Sequence, residues 1–268
     1  MSWRLLLPVA LLAGCAAPKQ EVQVVYPQRA PEFATRPYEP FSRQAAVAIA
    51  LREWRLFGEG VFDGPPNTPE LQGDDKPERQ PGLWQRVGEY WWEGQEPSSF
   101  SGPWTGKHDA NGVVFAPTQD GDYAWSAAFV SYVMRIAGAG TRFPYAPSHS
   151  TYINIAAKMA RGQTQGWAVT AMRPEAYAPQ PGDLICAGRE GARELRFDDL
   201  PTGSFTSHCD IVIGPTAQGV SVIGGNVRDA VTMKHVPIDS AGRIAGVGGV
   251  PYDRRYNWMV VLRVDYVY

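Results

Sequence analysis

The sequence predicts an α+β domain, helices first and strands after. Two observations carry this. Between residues 41 and 160 apolar residues recur at helical spacing, and from residue 182 onward short Val- and Ile-rich runs are split by Gly, Pro and Asp. Helical segments followed by strand segments, rather than alternating with them, give a helix layer packed on an antiparallel sheet.

The chain opens on a segment that is not expected to belong to that domain. Arg4 supplies a positive charge, and residues 5–12 form a short apolar run. That run is far below the roughly 20 residues that span a bilayer, so it reads as a signal-peptide core, residues 1–14. Leu12-Ala13-Gly14-Cys15 resembles the lipobox of bacterial lipoproteins, in which the cysteine after the cleavage site is lipidated. Cys15 is therefore expected to anchor the chain to a membrane. Ala16 beside it implies, by the same resemblance, the periplasmic side of the outer membrane. Residues 15–40 carry Pro18, Pro27, Pro31, Pro37 and Pro40 with little periodicity, and read as an extended tether. Residues 41–268 remain as a single domain.

Within the domain, residues 41–57 are a helix, with Phe41, Ala45, Ala48, Ile49 and Trp54 on its apolar side and Gly58 after it. A second helix covers 83–95, with Leu83, Val87, Tyr90 and Trp91 on one side. Residues 96–121 form a long irregular stretch, of the kind often kept for function. In 120–138, Trp125, Phe129, Val133 and Ile136 recur at helical spacing, Asp122 can cap the start and Gly138 can end it. Ser148 is expected to cap a fourth helix, 151–160. Strands follow at 183–187, 208–214, 219–225, 230–236 and 258–264, as an antiparallel meander.

Composition narrows the function. A net charge of −2 gives no basic field for nucleic acid. There is no phosphate-cradling glycine loop, no GxSxG elbow and no zinc motif, so neither a cofactor nor a metal is expected. His108-Asp109-Ala110-Asn111-Gly112 lacks the spaced carboxylates of a calcium loop and reads as a polar turn. Two cysteines remain after Cys15. In an oxidising compartment Cys186 and Cys209 are expected to form a disulfide closing a loop of about 24 residues, the alternative being two buried thiols.

Three short stretches stand out: Trp125-Ser126-Ala127-Ala128-Phe129, His208-Cys209-Asp210-Ile211-Val212 and Gly224-Gly225-Asn226. A hairpin turning at residues 215–219 centres on Ala217, so paired positions sum to 434. His208 and Asn226 satisfy that sum and would face each other across the ribbon, with Cβ atoms about 5 Å apart. Alternation sends Cys209 to the other face. Ser126 lies in the first turn of its helix, where free N–H groups and the dipole favour a developing anion. Asp210 shares the face of His208 and is a second partner for it. His149, between two serines, is a helix-cap and binding candidate. Trp125 and Trp104 are candidate binding aromatics. Trp84, Trp91 and Trp92 are read as core before glycan platform, and His235 as an exposed strand residue.

At these residues the chain resembles the papain-like cell-wall peptidases and amidases of the NlpC and CHAP type. In them a helix N-terminus carries the nucleophile, a strand begins with His, and a polar residue on the next strand orients it. Pro181-Gly182-Asp183-Leu184 is similar to the turn before that strand. From about Leu83 to the C-terminus the three stretches also resemble DUF2272, a bacterial domain family of unknown function. The resemblance implies a papain-like fold and a peptidoglycan peptidase or amidase site of Ser126, His208 and Asn226. It leaves open a catalytically silent relative that binds the wall or a partner protein. The peptidases have Cys where this chain has Ser126. A serine hydroxyl is too weakly acidic to be ionised by a helix dipole, so it needs a general base to remove its proton.

Overall fold

A computed structural model of the chain describes residues 40–65, 68, 73–94, 108, 111, 113–116, 123–217 and 219–267. Cys15, the signal and most of the tether, Trp104 and Asp122 lie outside the described residues. In the unit Pro37–Tyr268, helices α1 (Arg43–Leu56), α2 (Leu83–Glu93), α3 (Ser126–Ile136) and α4 (His149–Ala160) precede six strands. These are β1 (Val169–Met172), β2 (Leu184–Gly188), β3 (Ser207–Pro215), β4 (Gly219–Val227), β5 (Ala230–Pro237) and β6 (Trp258–Val264).

α1 starts where the Ser42 hydroxyl accepts from the Ala45 N–H at 3.1 Å, and it buries Ala46, Ala50 and Glu53. A carboxylate with no exposure needs partners. Glu53 has them in α2, where Arg86 Nε donates at 2.8 Å and Tyr90 Oη at 2.6 Å. α3 is buried from Ser126 to Met134 and forms the centre of the helix layer.

The sheet is fully antiparallel, in the order β1-β6-β2-β3-β4-β5. β2 to β5 form the expected meander. β6, however, returns to lie between β2 and β1, and β1 itself is an additional strand of four residues. The β3–β4 ladder pairs Ile211 with Ile223 and Val212 with Val222, the sum of 434, then slips by one towards the turn at a bulge.

Alternation divides the sheet into two faces. Cys186, Cys209, Ile211, Ile223 and Val260 join the core beneath the helices. Ile185, Val212, Val222 and Trp258 form a second cluster on the opposite face, closed by Tyr177, Ile244 and Tyr256. Cys186 and Cys209 are cross-strand partners in β2 and β3 and are disulfide-bonded, with Cα atoms 4.1 Å apart. Replacing both by Ala is expected to lower stability by about 3 kcal/mol, the loop-closure entropy released to the unfolded chain. The urea midpoint measures it, and an unchanged midpoint would show that the bridge contributes nothing.

Candidate functional site

The site is built at the tip of α3. Phe129 N–H is the first intrahelical donor, to Trp125 O at 2.9 Å, so the N–H groups of Ser126, Ala127 and Ala128 have no partner within the helix. Trp125 occupies the cap position but is 1% exposed. Its indole N–H donates to the Glu78 carboxylate, and its ring packs 5.9 Å from Phe57 and 5.7 Å from Tyr90. Trp125 is thus a core side chain that fixes where the helix begins, not the binding aromatic that the sequence suggested.

Ser126 Oγ lies 2.7 Å from His149 Nε2. His149 is the first residue of α4, one position past Ser148. Neither residue caps the helix through its side chain: the Ser148 hydroxyl instead meets that of Ser150 at 2.9 Å. On its other side the His149 ring hydrogen-bonds Tyr152 Oη through Nδ1. With the proton on Nδ1, that nitrogen donates to Tyr152 and Nε2 accepts from the Ser126 hydroxyl. Burial, reinforced by nearby His208, pulls the His149 pKa well below 6.5, so the ring is neutral at pH 7. Burial pushes the Tyr152 phenol well above 10, and the Asp210 charge adds to this.

His208 is held elsewhere. Its Nε2 lies 2.8 Å from Asp210 Oδ1, and Lys234 Nζ lies 2.6 Å from Asp210 Oδ2. Burial pushes the Asp210 carboxyl up, but Lys234 and His208 outweigh it and hold it far below the carboxylate range. An ionised Asp210 only accepts, so the His208 proton sits on Nε2 and Nδ1 keeps its lone pair; that buried Nδ1 has no hydrogen-bond partner among the described residues. Burial, with Lys234 and Arg189 against Asp210, lowers the His208 pKa as well.

The expected meeting of Ser126, His208 and Asn226 is therefore not made: His208 hydrogen-bonds neither Ser126 nor Asn226. Alternation is the reason. Ile211 and Ile223 face α3, so Asp210, Lys234 and His208 share the opposite face with Val212 and Val222. The two groups adjoin at the imidazoles of His149 and His208, whose ring centroids are 5.5 Å apart. Only glycine fits opposite His208 and Asp210, because a Cβ at Gly224 would lie 1.9 Å from Asp210 Oδ1 and 2.8 Å from His208 Nε2. Beyond Gly224 the β4–β5 register shifts at a bulge, and Asn226 adopts φ +54, which carries it off the ladder.

Asn226 nevertheless reaches the same cavity as Ser126 and His149. This cavity, of about 550 Å³, is also lined by Arg189, Ser207 and Asp229. Three of its lining residues, Glu190, Asn226 and Asp229, have positive φ although none is glycine. Such strained positions gather at sites that recognise something. Sequence reasoning passed over Tyr152, Lys234, Arg189 and Asp229. Tyr152 had a signal, lying three residues after His149 on one helical face. Lys234 had another, as a lysine inside an apolar strand. Among the described residues no three His, Cys, Asp or Glu side chains are grouped to hold a metal ion.

A family model described as an uncharacterized protein conserved in bacteria, DUF2272, matches residues 78–264. The chain belongs to this family. The DUF2272 region begins at Glu78, which holds Trp125, and ends with β6, so it contains Ser126, His149, Tyr152, His208, Asp210, Asn226 and Lys234. α1 lies before it, though Glu53 of that helix is locked to Arg86 inside the DUF2272 region. No curated protein and no solved structure matches the chain.

The other sequence candidates are placed as follows. Trp91 is buried and Trp92 is 57% exposed, and Trp84 packs against His108 with ring centroids 5.7 Å apart. His235 is half-exposed and paired with Asp63 at 2.8 Å.

Proposed function

We propose that this chain is an exported, lipid-anchored serine hydrolase that cleaves an amide bond in peptidoglycan stem peptides. The observation that carries the reading is the 2.7 Å contact of Ser126 Oγ with His149 Nε2, at a helix tip and on the wall of a cavity. In the reaction Ser126 Oγ attacks the carbonyl carbon and its proton passes to His149 Nε2. The oxyanion gains the N–H groups of the first turn that have no partner within the helix. His149 then returns the proton to the departing amine, and water releases the acyl group by the same steps in reverse.

The export signal and the Cys186–Cys209 disulfide fit an oxidising compartment. A lipid on Cys15 would hold the domain on the periplasmic side of the outer membrane, beside the wall. The resemblance of the sequence to papain-like NlpC and CHAP peptidases supplies the substrate class, with the difference that the imidazole at Ser126 belongs to His149 of α4 and not to His208 of β3. The experiment is direct: digest purified sacculi with the protein and identify released muropeptides by mass. Wild type should release fragments and Ser126→Ala none. Equal release by both would remove Ser126 as nucleophile.

A second reading, a silent relative that binds the wall or a partner protein, is favoured by one observation. His149 leans on a neutral phenol and not on a carboxylate, so its imidazolium is poorly stabilised. Binding of sacculi by wild type without any release would select it.

A further inference from the structure

Two charged residues line the cavity beside Ser126: Asp229, paired through one carboxylate oxygen only, and Arg189, exposed and without an ion pair among the described residues. Asp229 is 5% exposed. Its Oδ1 lies 3.4 Å from Lys76 Nζ, whereas its Oδ2 is buried with no hydrogen-bond partner among the described residues. A buried carboxylate oxygen without a donor is costly, and in a folded protein such a group calls for an explanation. Its placement is enforced. Arg228 and Asp229, both at positive φ, form the two-residue turn between β4 and β5, in the manner of a type I′ turn that Asn and Gly fill more easily. The Asp229 carbonyl also accepts from Glu78 N–H at 3.1 Å.

The second charge is Arg189, at the exit of β2. Its backbone is tied to Thr206 on both sides, by its own N–H at 3.0 Å and by the Thr206 hydroxyl at 2.8 Å. Its guanidinium makes no ion pair among the described residues, and it lines the same cavity. Its charge is close enough to oppose protonation of both His149 and His208.

We propose that this cavity is a subsite for a zwitterionic peptide end group, with the ammonium held by Asp229 and the carboxylate by Arg189. The inference rests on the cavity being the substrate site, and it names what that site accepts: a peptide end group that carries both an ammonium and a carboxylate, not a glycan. The cavity volume suits a ligand of that size. Guanidinium and carboxylate make a strong, directional pair, and the orphan Asp229 oxygen gains the donor it lacks.

Calorimetric titration tests this, using the full chain carrying Ser126→Ala so that no turnover blurs the heats. Four probes are compared: alanyl-alanine, its N-acetyl form, its C-terminal amide and the doubly blocked form. Blocking either end should weaken binding about tenfold or more, as expected for losing one charged hydrogen bond. Asp229→Asn, which keeps an acceptor for Lys76, should weaken the free dipeptide but not the N-acetyl form. Arg189→Met should weaken the free acids but not the amides. Equal affinities for all four probes, or no binding of any, would overturn the proposal, and this holds even if a variant fails to fold. Sacculus digestion with no charge discrimination sinks this inference alone. Charge-selective binding by a protein that releases nothing sinks the hydrolase reading alone.

Discussion

Lys234→Met is expected to destabilise the fold by about 3–5 kcal/mol, the cost typical of leaving one partner of a buried ion pair alone. Lys234 is 1% exposed and Asp210 is fully buried, and their 2.6 Å contact is the main compensation for the buried negative charge. Tyr256 and Trp258 add ring faces 4.9 and 5.8 Å from the ammonium. Methionine keeps the packing against those rings but removes the charge, so Asp210 is left to His208 alone. A carboxyl in that position either stays charged at high cost or takes up a proton. If it is protonated, His208 no longer has an anion fixing its proton on Nε2. The double change Lys234→Met with Asp210→Leu should recover much of the loss, because two apolar side chains can replace a buried pair at little cost. Urea unfolding of the two variants measures both. A loss below about 1 kcal/mol for Lys234→Met would mean that water reaches the pair and the network is not structural.

Local periodicity made most of the fold legible. The bounds of β6 and the β3–β4 register could be read because an antiparallel hairpin is set by its own turn and alternation, both short-range properties. β1 was not legible, since four residues between Trp167 and Arg173 show too little alternation to separate strand from loop. Nor was the insertion of β6 between β1 and β2, which depends on how the chain returns after the meander. The site divides along the same line. Ser126 at a helix tip and His208 sharing a face with Asp210 follow from one-element patterns. The pairing of Ser126 with His149 joins the N-termini of two helices, and no periodicity within either helix encodes how they meet. Asn226 was displaced from its expected partner by a bulge and a positive φ, features that break the alternation on which the 434 register rests. Lys234 comes opposite Asp210 only when three strands are laid side by side.

His149→Ala is expected to reduce hydrolysis about 10³-fold, the usual contribution of a positioned general base, while His208→Ala should cost far less. The two histidines can be told apart by pH. The base must be neutral to accept the Ser126 proton, so activity holds at neutral pH and falls on acidification through the folded-state pKa of His149. Burial has moved that value well below 6.5, so the acid limb of the profile should lie below the ordinary histidine range. Stability follows the same sign. Unfolding frees both histidines to bind protons near pH 6.5, whereas the folded rings stay neutral. Each therefore stabilises the fold fully above pH 6.5, and that stability is lost as pH falls, by about 1.4 kcal/mol per unit for each ring until its folded value is reached. The profile must be read where melting shows the protein still folded, or the loss of activity is simply loss of protein. Within that window the assignment has a sharp alternative. Nδ1 of His208 is buried with a free lone pair, and its ring lies 5.5 Å from that of His149. If His208→Ala abolishes the acid limb and His149→Ala leaves it in place, the proton goes to His208, and the contact between Ser126 and His149 is a resting arrangement that the substrate displaces.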